Sequence, residues 1–436
     1  MSKYSIGLDI GTTSVSAAVV NNATGKTVYT NSRNHGAFIP SDESFFREQD
    51  PEKLYEIAVA LLEDALGRFF PVGNIGLTGQ MHGILYVDGS GKALSPLYTW
   101  QDNRILSTAP SGKTYAEEIR EKTGYSISPG YGLGTHYALQ CENKVPEDAV
   151  KLCTAMDYVS ARLSGVCPDM IHPTNAASLG FYLLSEDSFD TEALKKLDMD
   201  LALLPNVVSD PRAVGSYKEI PVFQAIGDNQ ASVLYSLNGV DDACLVNIGT
   251  GSQISRVVDD PVEGKLLELR PFFGGKYLLA GSALCGGKAY AMLEEFFRAY
   301  VKESTGKEED QYDTLNRLAR QALESSAPLP RIRTTFAGTR EDSSETGSIS
   351  GLTEMTYTPQ GIILATLQGI VDELYERYLN LPVPSSAVVA SGNAVRRNKV
   401  LQSLISDTFQ LPLTLLGADE EAAGGAALFT LSGKQK

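Results

Sequence analysis

The sequence predicts an α/β protein made of two similar halves. A chain of 436 residues is too long for one hydrophobic core, so two domains are expected. One pattern, strand, Ile-Gly-Thr, strand, occurs twice, as YSIGLDIGTTSVSAAVV at 4–20 and as CLVNIGTGSQISRVV at 244–258. The last part of the chain alternates helix-like and strand-like segments. We therefore expect two duplicated lobes, 1–220 and 221–436, around a central cleft.

The first half opens with apolar runs separated by turns, which is typical of a β-meander. A helix is expected next, because Asp50 can cap it, Pro51 suits its first position and apolar residues from Leu54 onward recur at helical spacing. NIGLTG then predicts a strand, and the polar stretch TWQDNR (99–104) a loop. Further on, DYVSARLSG predicts a helix that its glycine ends.

The second half begins with PVFQAIGDNQASVLYSL (221–237), which predicts a strand, a sharp turn and a helix. The repeated motif and a second β-meander follow. A helix from Pro359, strand AVVASG, helix NKVLQSLISDTF, strand LPLTLL and helix EEAAGGAALFTL complete the chain. Gly424 and Gly425 lie in the last helix, where each costs about 1 kcal/mol relative to alanine, so close packing is expected there.

Charge and composition exclude several kinds of partner. The formal net charge of −16 argues against nucleic-acid or acidic-membrane binding, which needs a basic face, but allows a small anionic ligand held by backbone N–H groups or a metal. The chain has no signal-like start and no apolar run of about 18 residues, so a soluble, cytoplasmic protein is expected. Its five cysteines form no CxxC pair, which favours reduced thiols.

The two Ile-Gly-Thr turns are candidate phosphate-binding loops. Glycine lets a ligand approach the backbone, and hydroxyls beside consecutive N–H groups suit phosphate oxygens. A single Gly-Thr-Ser turn is also a common loop, but its repetition favours two hairpins that hold one polyphosphate from opposite sides. The candidates are Gly11, Thr12, Thr13 and Ser14 in the first half and Gly249, Thr250, Gly251 and Ser252 in the second.

Asp9 precedes the first turn, where its carboxylate could reach a phosphate-bound Mg²⁺ or simply cap its own turn. Its counterpart is the neutral Asn247, so only the first hairpin is expected to serve a metal. The segment GSALCGGKA (281–289) fails as a Walker loop, because Ser282 and Ala289 replace required residues, and no G-x-G-x-x-G follows a strand.

Six segments resemble, in order, the motifs of the FGGY carbohydrate kinases: DIGTTS, TGQMHG, GDNQAS, NIGTGS, SGNAVRRNKV and EEAAGGAAL. That family belongs to the actin, Hsp70 and hexokinase superfamily, whose lobes are ribonuclease-H-like. The resemblance runs from Tyr4 to about Leu431. It implies an ATP- and Mg²⁺-dependent kinase of a small sugar that is a monomer or homodimer. The chain is shorter than many members, and the second signature region is only loosely visible around FFGGKYLLAGSALCGGKAY.

The resemblance also implies roles for individual residues. Asp228 matches the catalytic base and lies near the metal; a helix N-cap is the structural alternative. The nucleotide would contact Gly392 and Asn393, whereas Arg396 and Arg397 suit a solvated helix face as well as a phosphate. The sugar would contact seven residues, namely Gln80, Met81, His82, Trp100, Asp102, Arg104 and Asn175. The structural alternatives are a structural role for the histidine, a core position for the tryptophan with surface ions beside it, and a turn position for the asparagine.

Four segments bear on the sugar: TGQMHG, WQDNR, TNAASLGFY and DNQAS are together most similar to the kinases of sedoheptulose. We expect phosphorylation at the terminal primary hydroxyl, giving the 7-phosphate. D-Xylulose or another polyol is the alternative, because D-xylulose kinases share QMHG and a related W-x-D segment. A non-catalytic ATP-gated binding or assembly protein would share the hairpins but would not need Asp228, QMHG or WQDNR.

Overall fold

The computed structural model describes residues 2–43, 45–340, 342, 344–417 and 420–432. The chain separates into two compact units. Unit 1 comprises Met1–Asn238, Pro271–Gly275 and Ala418–Lys436, and unit 2 comprises Gly239–Arg270 and Lys276–Gly417. These compact units are not the lobes expected from the sequence, so the lobe boundary near residue 220 stays a prediction.

The first 238 residues contain seven α-helices and sixteen strands in their described part. The helices are α1 Pro51–Arg68, α2 Tyr115–Thr123, α3 Gly132–Cys141, α4 Ala155–Ser164, α5 Pro173–Leu179, α6 Thr191–Lys195 and α7 Asp228–Ser236. The strands are β1 Tyr4–Ile10, β2 Ser14–Asn21, β3 Lys26–Asn34, β4 Phe38–Ile39, β5 Glu48–Gln49, β6 Val72–Gly79, β7 Leu85–Val87, β8 Leu97–Tyr98, β9 Lys151–Cys153, β10 Met170–Ile171, β11 Tyr182–Leu183, β12 Ser188–Phe189, β13 Asn206–Val207, β14 Ala213–Tyr217, β15 Ile220–Phe223 and β16 Ile226–Gly227.

The remaining elements follow in chain order. The strands are β17 Ala243–Ile248, β18 Ser252–Val258, β19 Glu268–Pro271, β20 Tyr277–Ala283, β21 Arg331–Arg333, β22 Ser348–Ser350, β23 Ala387–Ser391 and β24 Leu413–Leu415. The helices are α8 Gly287–Thr305, α9 Tyr312–Ser325, α10 Pro359–Tyr378, α11 Asn393–Arg397, α12 Lys399–Phe409 and, within unit 1, α13 Glu421–Ser432.

The main sheet of unit 1 has the order β14-β15-β6-β1-β2-β3, with β16 also paired to β6. β1, β2 and β3 pair antiparallel in sequence, which confirms the predicted β-meander. β6 pairs in parallel with both β1 and β16. Because parallel strands end at the same edge of a sheet, the residues that follow β1, β6 and β16 are brought together.

Helix α1 begins where the sequence predicted. The Asp50 side chain accepts a hydrogen bond from the Glu52 N–H at 3.0 Å, and Pro51 takes the first helical position. Its apolar stripe, which includes Leu54 and Leu61, is buried in the core of unit 1. Helix α4 ends at Gly165, whose left-handed conformation also agrees with prediction.

Helix α13 packs on β1 and β6 through glycine. A Cβ added at Gly7 would lie 1.8 Å from the Ala423 carbonyl oxygen, and one at Gly76 would lie 2.0 Å from that of Ala426. On α13 itself, a Cβ at Gly425 would lie 1.9 Å from the Ala231 carbonyl oxygen of α7. The close packing predicted for the glycines of this helix is therefore confirmed.

The main sheet of unit 2 has the order β19-β20-β18-β17-β23-β24. β17, β18 and β20 form the second β-meander, while β23 and β24 run parallel to β17. Helices α10 and α12 bury Ile363, Leu367 and Leu404 in the core of this unit. Within the part of the chain that the structure describes, no helix combines the length and apolar character needed to cross a membrane.

Candidate active site

Three candidate residues of unit 1 lie at one edge of its sheet. Ile10, the last residue of β1, pairs with Gly79, the last of β6, and Gly79 pairs with Gly227, the last of β16. Gly11, Gln80 and Asp228 follow these three residues in the sequence. Backbone register therefore places the first residue of the Gly-Thr-Thr-Ser turn, the candidate sugar ligand and the candidate base side by side.

Asp9 lies one residue before this edge, in an environment that disfavours its charge. Burial raises the pKa of Asp9 to about 8, with further increases from the nearby charges of Asp228 and Glu420. Its Oδ1 atom is buried and has no hydrogen-bond partner. Glu420 is the first residue of the EEAAGGAAL motif, but its residue type and position did not indicate a site residue.

Asp228 is the first residue of α7, and the N-cap position belongs to Gly227. Its Oδ1 accepts a hydrogen bond from the Asn229 N–H at 2.6 Å. The N-cap position that was the structural alternative for Asp228 is therefore occupied by Gly227. A carboxylate at the start of a helix is stabilised by the partial positive charge of the helix N-terminus.

The carboxylates of Asp9 and Asp228 fit the needs of a magnesium ion. Proteins usually hold Mg²⁺ through one or two carboxylates, with phosphate oxygens and water completing its shell. The unpartnered Oδ1 of Asp9 offers such a ligand, and a cation would relieve its repulsion from Asp228. Among the described residues, no group of three histidine, cysteine or acidic side chains could hold a metal without other ligands.

The turn between β1 and β2 is held by side chains from three other segments. The Thr12 carbonyl oxygen accepts from His35 Nε2 at 2.9 Å and from Gln49 Nε2 at 2.8 Å. The Thr12 hydroxyl accepts from the Trp100 indole N–H at 2.9 Å. Trp100, expected at the sugar, thus contacts a residue expected at the phosphates. Thr13 is exposed, and Ser14 begins β2.

Gln80 is almost completely buried beside this turn. Its Nε2 donates two hydrogen bonds, one to Gln49 Oε1 at 2.8 Å and a longer one to the Gly11 carbonyl oxygen at 3.4 Å. Its Oε1 is buried without a partner. A buried acceptor that lacks a donor costs free energy, so a ligand hydroxyl would be stabilised here.

His82 and Met81 have different surroundings. His82 Nδ1 faces the Ser178 carbonyl oxygen at 2.7 Å. Since a carbonyl only accepts, Nδ1 carries the proton, and Nε2 of the neutral ring is an acceptor. The ring lies 4.6 Å from that of Tyr131. Met81 is 8% exposed and belongs to the core, where its sulfur would lie 2.8 Å from a Cβ added at Gly227.

Asn175 lies in α5 and not in the turn that offered an alternative explanation. It is fully buried, and its Nδ2 donates to the Ala225 carbonyl oxygen at 3.2 Å. Its Oδ1 is buried without a partner, as is the Oε1 of Gln80. Thr174, the preceding residue, accepts from the Gly227 N–H at 3.0 Å and so connects α5 to the start of α7.

Asp102 and Arg104 form a buried ion pair. Asp102 Oδ1 accepts from Arg104 Nε at 2.7 Å, and its Oδ2 accepts from Arg104 Nη2 at 2.8 Å. Arg104 also contacts Glu48 at 2.8 Å and lies over the rings of Phe46 and Tyr98. The side-chain exposures are 0% for Asp102 and 3% for Arg104. Direct sugar contact by either residue stays a prediction, because their charged atoms are engaged with protein groups.

In unit 2 the second Ile-Gly-Thr turn packs against the start of α8. The N–H groups of Gly287 and Lys288 donate to the carbonyl oxygens of Gly249 and Thr250 at 2.8 and 3.0 Å. The Gly249 N–H is itself bonded to the Gly251 carbonyl oxygen, so phosphate contacts would have to use the other N–H groups and the hydroxyls. Ser252 Oγ is buried without a partner, whereas Asn247 donates to Ser391 Oγ at 2.8 Å.

Gly392 directly follows β23 and lies next to this turn. Its φ of 96° lies in the left-handed region, and an added Cβ would lie 2.4 Å from the Ile248 carbonyl oxygen. Backbone packing within unit 2 therefore requires glycine here, independently of any ligand. Asn393 begins α11, where its Oδ1 accepts from Arg396 at 2.9 Å.

A cavity of about 400 Å³ in unit 2 contains several of these residues. It runs from Ile248 and Gly287, beside the turn, to Asn393 and Arg397. The rings of Tyr290 and Tyr312 line it with centroids 6.0 Å apart, and Asn316 Oδ1 accepts from the Tyr290 hydroxyl at 2.8 Å. Its volume is in the range of small-molecule sites. Sequence patterns did not indicate the two tyrosines as ligand-binding residues, because aromatic residues in helices usually belong to the hydrophobic core.

Comparisons with known proteins agree with this arrangement. Residues 4–235 match the N-terminal domain of the FGGY family of carbohydrate kinases, and residues 244–432 match its C-terminal domain. The chain is 28% identical to Mus musculus sedoheptulokinase, covering 98% of this chain and 97% of that protein. It is 24% identical to the xylulose kinase of Staphylococcus xylosus, covering 99% and 91%.

A solved structure shows the same fold. The gluconate kinase from Lactobacillus acidophilus superposes with a TM-score of 0.82 at 21% identity, covering 100% of this chain and 90% of that one. Both halves of the sequence thus match one family, and the mixed α/β two-domain fold is that of its sugar kinases. The chain belongs to the FGGY family of carbohydrate kinases, which use ATP to phosphorylate sugars.

Proposed function

We propose that the protein phosphorylates sedoheptulose at its terminal primary hydroxyl, using Mg·ATP and releasing ADP. The observation that supports this most is the meeting of Gly11, Gln80 and Asp228 at the ends of three parallel strands. The choice of sugar rests on the full-length similarity to sedoheptulokinase. A non-catalytic ATP-gated protein is no longer an alternative, because the chain belongs to a kinase family.

In this proposal Asp228 is the general base. The sugar hydroxyl oxygen attacks the γ-phosphorus, the bond from that phosphorus to the β,γ-bridging oxygen breaks, and the hydroxyl proton passes to the Asp228 carboxylate. The helix N-terminus that holds Asp228 favours its ionised form, which is the form a base requires. Mg²⁺, held by Asp9 and Asp228, would neutralise phosphate charge.

Unit 1 would bind the sugar through side-chain atoms that can accept hydrogen bonds. Gln80 Oε1 and Asn175 Oδ1 are buried and unpartnered, and His82 Nε2 is an acceptor by its tautomer. Sugar hydroxyls would donate to these three atoms. D-Xylulose is the second candidate, because the chain is also similar to a xylulose kinase over nearly its whole length.

Unit 2 would bind the adenosine of ATP in its cavity. The rings of Tyr290 and Tyr312 offer apolar faces, and Asn316 and Asn393 offer polar groups for the base or ribose. The turn formed by Thr250, Gly251 and Ser252 would contact the phosphates. Gly392 would act through packing rather than through contact with adenine.

The test is ADP release with Mg·ATP against sedoheptulose, D-xylulose, D-ribulose, L-ribulose, gluconate and glycerol. We expect kcat/KM for sedoheptulose to exceed that for every other sugar by at least about tenfold, because a site built around hydroxyls rejects analogues that leave its polar atoms unpaired. The phosphorylated carbon is identified by NMR of the product. A preference for D-xylulose would keep the family mechanism and overturn the choice of sugar.

Two variants separate chemistry from folding. Asp228→Asn should lower kcat about 10²- to 10⁴-fold, since it removes the base, whereas the exposed Asp148→Asn should leave kcat unchanged. If Asp228→Asn retained full activity with an unchanged melting temperature, another residue would have to be the base. Asp9→Asn should raise the Mg²⁺ concentration needed for half-maximal turnover; an unchanged magnesium dependence would exclude the metal role of Asp9.

A further inference from the structure

Gln49 connects the first phosphate turn to the candidate sugar ligand Gln80. Its side chain is completely buried at the end of the two-residue strand β5. Its Nε2 donates to the Thr12 carbonyl oxygen at 2.8 Å, and its Oε1 accepts from Gln80 Nε2 at 2.8 Å. A single carboxamide, that of Gln49, thus joins Thr12 of the turn to Gln80 at this edge of the sheet.

The orientation of both carboxamides follows from one carbonyl group. The Thr12 oxygen only accepts, so the end of Gln49 that faces it must be the NH₂ group. Gln49 therefore presents its oxygen to Gln80, and Gln80 must turn its own NH₂ group toward Gln49 and the Gly11 carbonyl oxygen. The remaining atom, Gln80 Oε1, is left as a buried acceptor without a partner.

We infer that Gln49 is a positioning residue that makes Gln80 a hydrogen-bond acceptor for a sugar hydroxyl. This inference rests on the proposed function, since it assigns Gln80 to the sugar. Without Gln49, the Gln80 carboxamide could rotate and present a donor or an acceptor. Gln49 also connects Gln80 to the carbonyl oxygen of Thr12. The proposed sugar-binding side chain and the phosphate turn are therefore joined by one chain of hydrogen bonds.

The charge-neutral bridge is also specific to glutamine. A leucine at position 49 would remove both hydrogen bonds at similar volume. A glutamate would keep an acceptor for Gln80 Nε2, but its ionised form could not donate to the Thr12 carbonyl. His35 Nε2 would still donate to that carbonyl at 2.9 Å, so the turn itself keeps one of its two donors.

A double-mutant cycle tests the inference with the full-length protein. We compare Gln49→Leu, Gln80→Leu and the double variant for ketose KM, ATP KM and kcat, with whichever ketose the substrate panel selects. Gln140→Leu is the matched control, because the Gln140 carboxamide bridges the carbonyl oxygens of Leu197 and Asp198 elsewhere in unit 1. We expect Gln49→Leu and Gln80→Leu each to raise the ketose KM about tenfold.

The double variant should be no worse than Gln80→Leu alone, because both changes remove the same sugar contact. ATP KM should change less than ketose KM, and Gln140→Leu should change neither. Effects that multiply would show that Gln49 acts independently of Gln80. A lower melting temperature with an unchanged ketose KM would show that Gln49 serves the fold only. Either result overturns the inference.

A second measurement does not need the sugar. In protein labelled with ¹⁵N at glutamine side chains, the Gln80 NH₂ signal, assigned by its loss in Gln80→Leu, should show slow hydrogen exchange that Gln49→Leu abolishes and Gln49→Glu retains. Fast exchange of the Gln80 NH₂ group in the wild type would overturn the inference. If no ketose were phosphorylated, the proposed function and the sugar role of Gln80 would both fail, whereas this signal would still test the hydrogen bond between Gln49 and Gln80.

Discussion

Removal of Arg104 should destabilise unit 1, because it leaves the Asp102 carboxylate buried without its cation. Breaking one partner of a buried ion pair typically costs about 3–5 kcal/mol. Here Asp102 would keep hydrogen bonds from the backbone N–H groups of Arg47 and residue 104, at 3.0 and 3.1 Å. Glu48 is 21% exposed and can be rehydrated. We therefore expect Arg104→Met to lower the free energy of unfolding by about 3 kcal/mol, the lower end of that range.

Urea unfolding followed by tryptophan emission is the suitable assay. Trp100 is the only tryptophan of the chain, lies in unit 1 and is two residues from Asp102, so its emission reports this region. Lys113→Met is the matched control. Its partner Glu121 is 2.6 Å away, but both side chains are about half exposed, so the free energy of unfolding should stay close to that of the wild type.

Replacing both partners, Asp102→Leu with Arg104→Met, should cost less than the sum of the single changes, because no fully buried charge is left unpaired and the part-exposed Glu48 can be rehydrated. A loss below about 1 kcal/mol for Arg104→Met would refute the reasoning from burial. If that small loss were accompanied by a large increase in ketose KM, Arg104 would instead be the sugar ligand that the sequence resemblance implied.

Three further outcomes are expected. Burial raises the pKa of Asp157 to about 7, so its contribution to stability is present below about pH 4 and is lost as the pH rises through 7; Asp157→Asn should remove this dependence and gain up to about 4 kcal/mol at pH 8, measured by urea unfolding. An equal pH dependence in the variant would exclude Asp157 as its source. Gly7→Ala should lower the melting temperature sharply, because the new Cβ would lie 1.8 Å from the Ala423 carbonyl oxygen; an unchanged melting temperature would contradict that contact. Tyr312→Ala should raise ATP KM about fivefold by removing one ring from the unit 2 cavity, while the exposed Tyr300→Ala should not; equal effects would argue against adenosine in that cavity.

The sequence by itself determined the family, the α/β class and most local elements. The β-meander, the start of α1 at Asp50 and Pro51 and the end of α4 at Gly165 were predictable, because strand alternation and helix capping depend on neighbouring residues. The repeated turn and the six ordered motifs were sufficient to indicate a sugar kinase. Asp9 and Asp228 could be selected by type and position, although their roles stay predictions.

Only the tertiary structure decided which side chains meet. Trp100 contacts Thr12, and Asp102 forms an ion pair with Arg104 inside the protein. The charge of Glu420 contributes to the raised pKa of Asp9. Gln49 carried no signal in the sequence, since its importance comes from two hydrogen bonds to residues 37 and 31 positions away. Such contacts are set by strand register and by the burial of particular atoms. Those quantities depend on the whole packed unit, so local patterns of residue type do not contain them.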